Sequence, residues 1–173
     1  MRKSLSAADL KKILETANER DLFIVGHMYI ENMIDRILEK KFNIPSKSID
    51  STLFTLNLKM DILTESNLIR GSVKKNVELL ARIRNRYAHK LEPNEQRITN
   101  YIRELQYLGT APKLDGKYAK YRVCAIRTFS ALEKMLRRSS YCDYRISSNI
   151  GSEFSVFFTK SLGTVRLNFL VLP

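Results

Sequence analysis

The most informative segment of the chain reads Ala81-Arg82-Ile83-Arg84-Asn85-Arg86-Tyr87-Ala88-His89-Lys90. In an α-helix each residue turns by about 100° from the one before it, so Tyr87 lies near Ile83 on one apolar face. Arg84 and His89 lie outside that face and are separated from each other by about 140° around the axis. The spacing therefore predicts an amphipathic helix whose arginine and histidine point away from the protomer's own core.

Small residues stand among the polar ones on this outward face. Ala81 and Ala88 leave room for another helix to approach closely. A face exposed only to water is more commonly filled with glutamate and lysine, whereas this one carries arginine, asparagine and histidine. Two interpretations stay open for His89: a solvated surface position, or part of a site that a second subunit helps to bury.

Apolar residues recur at helical intervals on both sides of the segment, and prolines interrupt them. The region 6–42 predicts one long helix or two abutting helices, ended by Asn43-Ile44-Pro45, with a loop to about Asp50. Residues 53–63 share enough of a helical face to favour a helix over a strand. The remaining predicted helices cover 73–89, 95–108 and 117–138.

The composition changes after Ser140. Residues 154–159 and 164–172 are rich in β-branched and aromatic side chains, and Ser161-Leu162-Gly163 can turn between them. We expect an all-α helical bundle over residues 1–140 and a small C-terminal β-hairpin within residues 141–173.

Charge is the main clue to a partner. The chain has 173 residues, which suits one domain, and 44% of them are hydrophobic, which favours a packed core over disorder. Lysine and arginine number 30 against 18 aspartates and glutamates, a net charge of +12. An excess of this size favours a polyanionic partner, and nucleic acid is the first candidate.

Several classes of protein are disfavoured by the composition. Charged residues interrupt every apolar run, so we expect no membrane-spanning helix, and Asp9, Lys11 and Lys12 break any signal-like apolar stretch near the N-terminus. Cys124 and Cys142 have no partner spacing for zinc, and we expect reduced thiols in a cytoplasmic protein. Because the chain has only 2 histidines and no metal-binding motif, we expect neither a metal nor another cofactor.

The sequence Arg84-Asn85-Arg86-Tyr87-Ala88-His89 resembles the motif of the HEPN superfamily, an arginine followed after four to six residues by a histidine. Asn85 matches the asparagine that often follows the arginine in that superfamily. The run 28–38, the helix ending at Leu68-Ile69 and the motif are similar in layout to the mannitol operon repressor family. The resemblance spans about Asp21 to Arg138 and does not reach the predicted strands.

The resemblance implies a HEPN-type helical bundle that forms a homodimer, with two copies of the motif facing each other across a cleft. It further implies metal-independent RNA cleavage in which the ribose 2′-hydroxyl attacks the phosphate. In that reaction His89 would transfer protons and Arg84 would bind the phosphate, and Asn85 would be an orienting hydrogen-bond partner. The chemistry agrees, since imidazole titrates near neutral pH and guanidinium offers a charged fork for phosphate. A toxin or defence role is implied as well, with an antitoxin or regulatory protein as a further partner.

Other functions of the same framework stay open. The mannitol operon repressor relatives are described as regulators, and not every HEPN domain cuts RNA. In toxins silenced by nucleotide transfer a tyrosine stands two residues after the motif histidine, where this chain has Leu91. The alternatives are a non-catalytic regulator or interaction module, and a nucleotide-binding accessory domain that serves a separate enzyme.

His27, Glu31 and Asp35 recur at intervals of four residues and form a polar strip beside the apolar face of the first long helix. Glu31 or Asp35 could fix the guanidinium of Arg84 by pairing with it; a solvated strip with ordinary intrahelical pairs is the alternative. His27 borders the core and is the less favoured candidate for a second proton-transfer group. The candidate contacts for an RNA backbone are Lys74, Lys75, Arg82, Arg86 and Lys90.

Overall fold

A computed structural model of the chain describes residues 6–89 and 93–138, together with the backbone of 149–150, 154–161 and 164–171. The helices in these residues are α1 (Ala7–Thr16), α2 (Glu19–Phe42), α3 (Ser46–Ile49), α4 (Leu56–Glu65), α5 (Gly71–His89), α6 (Glu95–Glu104) and α7 (Ala119–Arg137). The strands are β1 (Asn149–Ile150), β2 (Phe154–Ser161) and β3 (Thr164–Val171). The predicted all-α class is confirmed for the described residues up to 138.

Side-chain caps divide the predicted N-terminal helical region into two helices. At the start of α1 the Asp9 N–H donates to Ser6 Oγ over 3.2 Å, and the Ser6 N–H donates to Asp9 Oδ2 over 2.9 Å. At the start of α2 the Asp21 N–H donates to Asn18 Oδ1 over 2.9 Å. A capping residue takes an extended backbone, so the chain leaves the helix at Ala17 and Asn18 and begins a new one at Glu19.

Helix α6 is shorter than its apolar pattern predicts. It ends at Glu104 because the side chain of Asn76, on α5, replaces a helical partner for Gln106. The Gln106 N–H donates to Asn76 Oδ1 over 2.8 Å, and Asn76 Nδ2 donates to the Gln106 carbonyl over 2.9 Å. A second difference lies in the predicted loop after α2, where the short helix α3 buries Ile49 in the core.

Helix α2 is the centre of the bundle and packs against α1, α3, α4, α5 and α7. Gly26 permits part of this packing, because a Cβ atom there would lie 2.8 Å from the Tyr121 hydroxyl oxygen and 3.4 Å from Leu14 Cδ2. Without a side chain at this position, α1 and α7 can both lie against the α2 backbone next to His27.

The strands pair in antiparallel fashion. In the ladder between β2 and β3, Phe154 is opposite Val171 and Ser161 is opposite Thr164, and β1 pairs with the start of β2. The predicted turn includes Leu162 and Gly163, and the predicted domain boundary follows residue 140. These positions lie outside the described residues, so a hairpin that forms a separate C-terminal unit stays a prediction.

Two further features bear on the expectations from composition. Cys124 is a buried free thiol, and burial raises its pKa to about 11, so the thiol is uncharged at neutral pH. Cys142 lies outside the described residues. No helix in the described part of the chain has an apolar stretch long enough to cross a lipid bilayer.

Candidate active site on helices α2 and α5

Helix α5 has three different surfaces around the motif. Ile83 and Tyr87 are buried, as the helical spacing predicts. Asn85 and His89 are exposed, and Arg84 is half-buried. The histidine of the motif therefore lies on the surface of the protomer, at the last residue of the helix.

One protomer does not bring Arg84 and His89 to the same side of α5. The helix is continuous from Gly71 to His89, which keeps the two side chains about 140° apart around its axis. Arg84 lies on the side of α2, where its positive charge acts on His27. His89 instead shares a stripe, about 40° wide, with Lys75 and Arg82.

Among the described residues, the guanidinium of Arg84 has one hydrogen-bond partner, because its Nη1 donates to Asn85 Oδ1 over 3.0 Å. Its Nε is buried with no hydrogen-bond partner in the same part of the chain. Within residues 6–89 and 93–138, no carboxylate forms an ion pair with it. In the described part of the chain the charge of Arg84 therefore has no carboxylate partner, and the side-chain oxygen of Asn85 accepts one hydrogen bond from it.

His27 faces this part of α5 from helix α2. The residue is only 3% exposed, and in the part of the chain that the structure describes neither of its ring nitrogens has a hydrogen-bond partner. Burial lowers the pKa of His27 to about 4, and the nearby charge of Arg84 acts in the same direction. The imidazole is therefore uncharged at neutral pH, with one N–H donor and one acceptor nitrogen.

Glu31 lies one helical turn after His27 and places Oε2 3.7 Å from His27 Nδ1. Its side chain is half-exposed, so the carboxylate lies at the outer edge of the seam between α2 and α5. The four-residue spacing predicted that Glu31 and His27 share a face. It did not identify His27 as the residue that lies beside Arg84.

Asp35, the third member of the polar strip, has a different partner. Its Oδ1 lies 2.7 Å from Lys59 Nζ on α4, and both residues are buried. Burial raises the pKa of Asp35, although the hydrogen bond and charge of Lys59 oppose that change. Asp35 is thus paired with Lys59 and not with Arg84. The sequence did not predict that Lys59, which stands among apolar residues, would pair with Asp35.

The buried side of the motif is held by a carboxylate at the start of α2. The hydroxyl groups of Tyr87 and Tyr118 both donate to Glu19 Oε1, the latter over 2.5 Å. Burial raises the pKa of Glu19, but the hydrogen bonds from Tyr118 and Tyr87 outweigh it and leave the pKa below its usual value. Phe23 stacks on Tyr87 with ring centroids 4.5 Å apart. These contacts join the end of α5 to α2 and α7.

A surface groove of about 410 Å³ runs beside the first half of α5. It contains three of the residues expected to contact nucleic acid, Lys74, Lys75 and Arg82. Lys74 Nζ lies 2.6 Å from Asp61 Oδ1, so part of its charge is neutralised. The groove is also lined by Gly71, Glu78, Leu79 and Glu104.

Arg86 and Lys90 are the last two basic candidates. Arg86 is half-buried, and Lys90 lies outside the described residues. The described part of the chain contains no group of three or more histidine, cysteine, aspartate or glutamate side chains arranged to hold a metal ion. Compared with known proteins, the chain has no significant match to a protein-family model, a curated sequence or a solved structure.

Proposed function

We propose that this protein is a metal-independent RNA endonuclease of the HEPN type that acts as a homodimer. The observation that carries the proposal is the uncommitted charge of Arg84, which no carboxylate in residues 6–89 and 93–138 neutralises. The exposed imidazole of His89 at the end of the same helix adds a proton-transfer group. The resemblance of residues 84–89 to the HEPN motif supports the same assignment.

In the proposed reaction Arg84 binds non-bridging oxygens of the scissile phosphate and stabilises the charge that develops there. The 2′-hydroxyl loses its proton to an imidazole, and the resulting oxygen attacks phosphorus. The bond from phosphorus to the 5′-oxygen breaks, and that oxygen takes up a proton. The products are a 2′,3′-cyclic phosphate and a free 5′-hydroxyl, and His89 carries the protons.

A second protomer is part of the proposal because of the angle between the two groups. Arg84 and His89 of one helix point about 140° apart, so they cannot both reach one phosphate from the same protomer without distortion. Ala81 and Ala88, both half-buried, allow a second α5 helix to approach. In the proposed dimer, Arg84 of one protomer and His89 of its partner act on one linkage.

The groove beside α5 supports the choice of RNA as the substrate. Lys75 and Arg82 lie on the same stripe of the helix as His89, and both are exposed. A backbone of phosphates following this stripe would lead to the imidazole. We place the protein in a cytoplasmic toxin or defence setting, in which an antitoxin or regulatory protein would control it.

The direct test is incubation of the purified protein with RNA in the presence of EDTA. We expect cleavage that survives chelation and falls by at least about 10²-fold in His89→Ala and Arg84→Ala. Arg97→Ala, which removes an exposed arginine from α6, serves as the matched control and should cleave normally. Cleavage that persists in both motif variants would contradict the proposal.

Mixing the two inactive variants tests the shared site. A heterodimer of Arg84→Ala and His89→Ala contains one site with both groups intact if each site draws on two protomers. Activity should then return on mixing, whereas a site contained within one protomer would leave the mixture inactive.

The alternative function is a non-catalytic module that binds nucleic acid or a protein. It is favoured by the groove, whose Lys75 and Arg82 can hold an anionic partner without any chemistry. Stable, salt-dependent RNA binding with no products, in both the wild type and His89→Ala, would support this alternative.

A further inference from the structure

The seam between α2 and α5 contains an unusual concentration of unused hydrogen-bonding groups. Among the described residues, the buried side-chain nitrogens and oxygens without a partner are His27 Nδ1, His27 Nε2 and Arg84 Nε. Buried polar atoms are normally hydrogen-bonded, and each exception calls for an explanation. Here all the exceptions belong to His27 on α2 and to Arg84, the arginine of the motif, on α5; these two helices pack against each other, and the charge of Arg84 acts on His27.

The two side chains are chemically complementary. An uncharged imidazole has one donor and one acceptor nitrogen, and the Nε of an arginine is a donor. Glu31 Oε2, 3.7 Å from His27 Nδ1, favours the tautomer that carries its proton on Nδ1. That tautomer leaves the lone pair of Nε2 to accept a hydrogen bond from Arg84 Nε–H.

We propose that His27 is a positioning residue for Arg84, and that Glu31, His27 and Arg84 form a hydrogen-bonded relay when a phosphate group binds. The proposal rests on the proposed function for the identity of the phosphate, which belongs to RNA. Catalytic hydrogen bonds are often long or misaligned in free enzymes and tighten in the complex. The separation of 3.7 Å between Glu31 and His27 is of this kind.

The relay would fix the plane of the guanidinium from two edges. Nε–H would donate to His27, while Nη1 already donates to Asn85 Oδ1 over 3.0 Å. An arginine has five N–H donors, so three remain on Nη1 and Nη2 for phosphate oxygens. Holding these donors in one orientation before the reaction lowers the cost of reorganisation in the transition state.

Phosphate binding would also favour the relay by orienting the guanidinium. Burial and the positive charge of Arg84 both keep the imidazole of His27 uncharged, so one ring nitrogen keeps a lone pair that can accept a charge-assisted hydrogen bond from Nε–H. An anion held by Nη1 and Nη2 would fix the plane of the guanidinium and keep Nε–H directed at that nitrogen. Substrate binding and the His27 contact would then reinforce each other.

The test compares His27→Leu with His27→Gln. Leucine fills the buried site but accepts no hydrogen bond, whereas the glutamine side-chain oxygen can still accept from Arg84 Nε–H. We expect His27→Leu to lower kcat for RNA cleavage by about 10- to 100-fold, as loss of an outer hydrogen-bond partner does at metal sites. His27→Gln should recover most of this loss, and KM should change little in either variant.

A second readout does not require cleavage. The ¹⁵N–¹H signal of Arg84 Nε, assigned by its absence in Arg84→Lys, is followed while inorganic phosphate or an uncleavable 2′-deoxy dinucleotide is added. In the wild type we expect the signal to shift and its exchange with water to slow, because Nε–H acquires a partner. In His27→Leu the shift and the protection should disappear, and in Glu31→Leu they should be weakened.

Three results would overturn the relay. The first is an Arg84 Nε signal that does not change when either ligand is added to the wild type. The second is a signal that responds equally in the wild type and in His27→Leu. The third is an equal loss of kcat in His27→Leu and His27→Gln. Intact RNA with the wild-type protein would refute the nuclease alone, since the phosphate titration still decides the relay. If His27→Leu does not fold, Glu31→Leu, altered only at a half-exposed position, decides through the same signal.

Discussion

The two ends of the polar strip on α2, Asp35 and His27, differ in their hydrogen-bond partners. At one end Asp35 is buried and bonded to Lys59 over 2.7 Å. At the other end His27 is buried just as deeply, yet neither of its nitrogens has a hydrogen-bond partner within residues 6–89 and 93–138. The residues lie on the same face of one helix, so the difference comes from the helices that cover them: α4 supplies a lysine amine, and α5 supplies an arginine whose Nε is also unused.

This difference separates two roles of buried polar groups. A carboxylate paired with an amine satisfies both groups and holds α2 to α4, although desolvation cancels much of the gain. Among the described residues, the ring nitrogens of His27 and the Nε of Arg84 are buried without a hydrogen-bond partner, which costs stability in the free protein. In the proposed relay they keep their donors and acceptor for the state with a bound phosphate. The first arrangement is complete in the protomer, whereas in our proposal the second is completed by a bound anion.

The largest effect on stability is expected from breaking the pair between Lys59 and Asp35. Lys59→Met should lower the free energy of unfolding by about 3–5 kcal/mol at neutral pH, because Asp35 is left as an unpaired buried carboxylate. Denaturant unfolding measures this loss, which should shrink at acidic pH as Asp35 takes up a proton. The double variant Lys59→Met/Asp35→Leu is the control and should recover most of the stability. A single variant as stable as the wild type would show that the pair is not buried.

The burial of His27 should make the free energy of unfolding depend on pH. The pKa of His27 falls from 6.5 to about 4 in the folded protein, so between these values the unfolded chain binds a proton that the folded chain does not. Stability therefore decreases as pH falls through this window, by about 3 kcal/mol in total. Urea unfolding of wild type and His27→Leu at matched pH isolates the contribution, since other groups titrate alike in both. Parallel pH profiles would contradict the burial of His27.

A smaller effect is expected on the buried side of the motif helix. Tyr87→Phe removes one hydroxyl donor from Glu19, which keeps Tyr118, so stability should fall by about 1–2 kcal/mol. Tyr101→Phe removes a hydroxyl from a half-buried tyrosine of α6 and should change the thermal midpoint less. If the two variants unfold alike, the hydrogen bond to Glu19 does not contribute to stability.

The smallest effect on stability is expected at the groove beside α5. Lys74 pairs there with Asp61, whereas Lys75 is exposed. Neither Lys74→Gln nor Lys75→Gln should change stability by more than about 1 kcal/mol. The logarithm of the affinity for single-stranded RNA falls linearly with the logarithm of the salt concentration, and Lys75→Gln should make this slope shallower by about 0.7. Lys74→Gln should change the slope less, because the amine of Lys74 is already paired with Asp61. Equal slopes in wild type and Lys75→Gln would remove Lys75 from the RNA path.

Local pattern was enough to predict most of the helices and the buried side of the motif helix. A helix repeats every 3.6 residues, so the buried positions of Ile83 and Tyr87 and the exposed position of His89 follow from spacing alone. Arg84, which was expected to point away from the core, is instead half-buried, and its Nε is buried. The pattern left open whether residues 6–42 form one helix or two, because a cap such as Asn18 depends on the local backbone conformation as well as on residue type. These properties depend on neighbours within one or two turns.

Pairing across the bundle was decided by the tertiary structure alone. The bond between Lys59 and Asp35 joins residues 24 apart in the chain, and the bonds to Glu19 from Tyr87 and Tyr118 span 68 and 99 residues. Periodicity says which face of a helix is buried but not which side chain of another helix will lie against it. For that reason the sequence left Glu31 and Asp35 as candidate partners of Arg84. In the structure Asp35 pairs with Lys59, and the charge of Arg84 acts on His27.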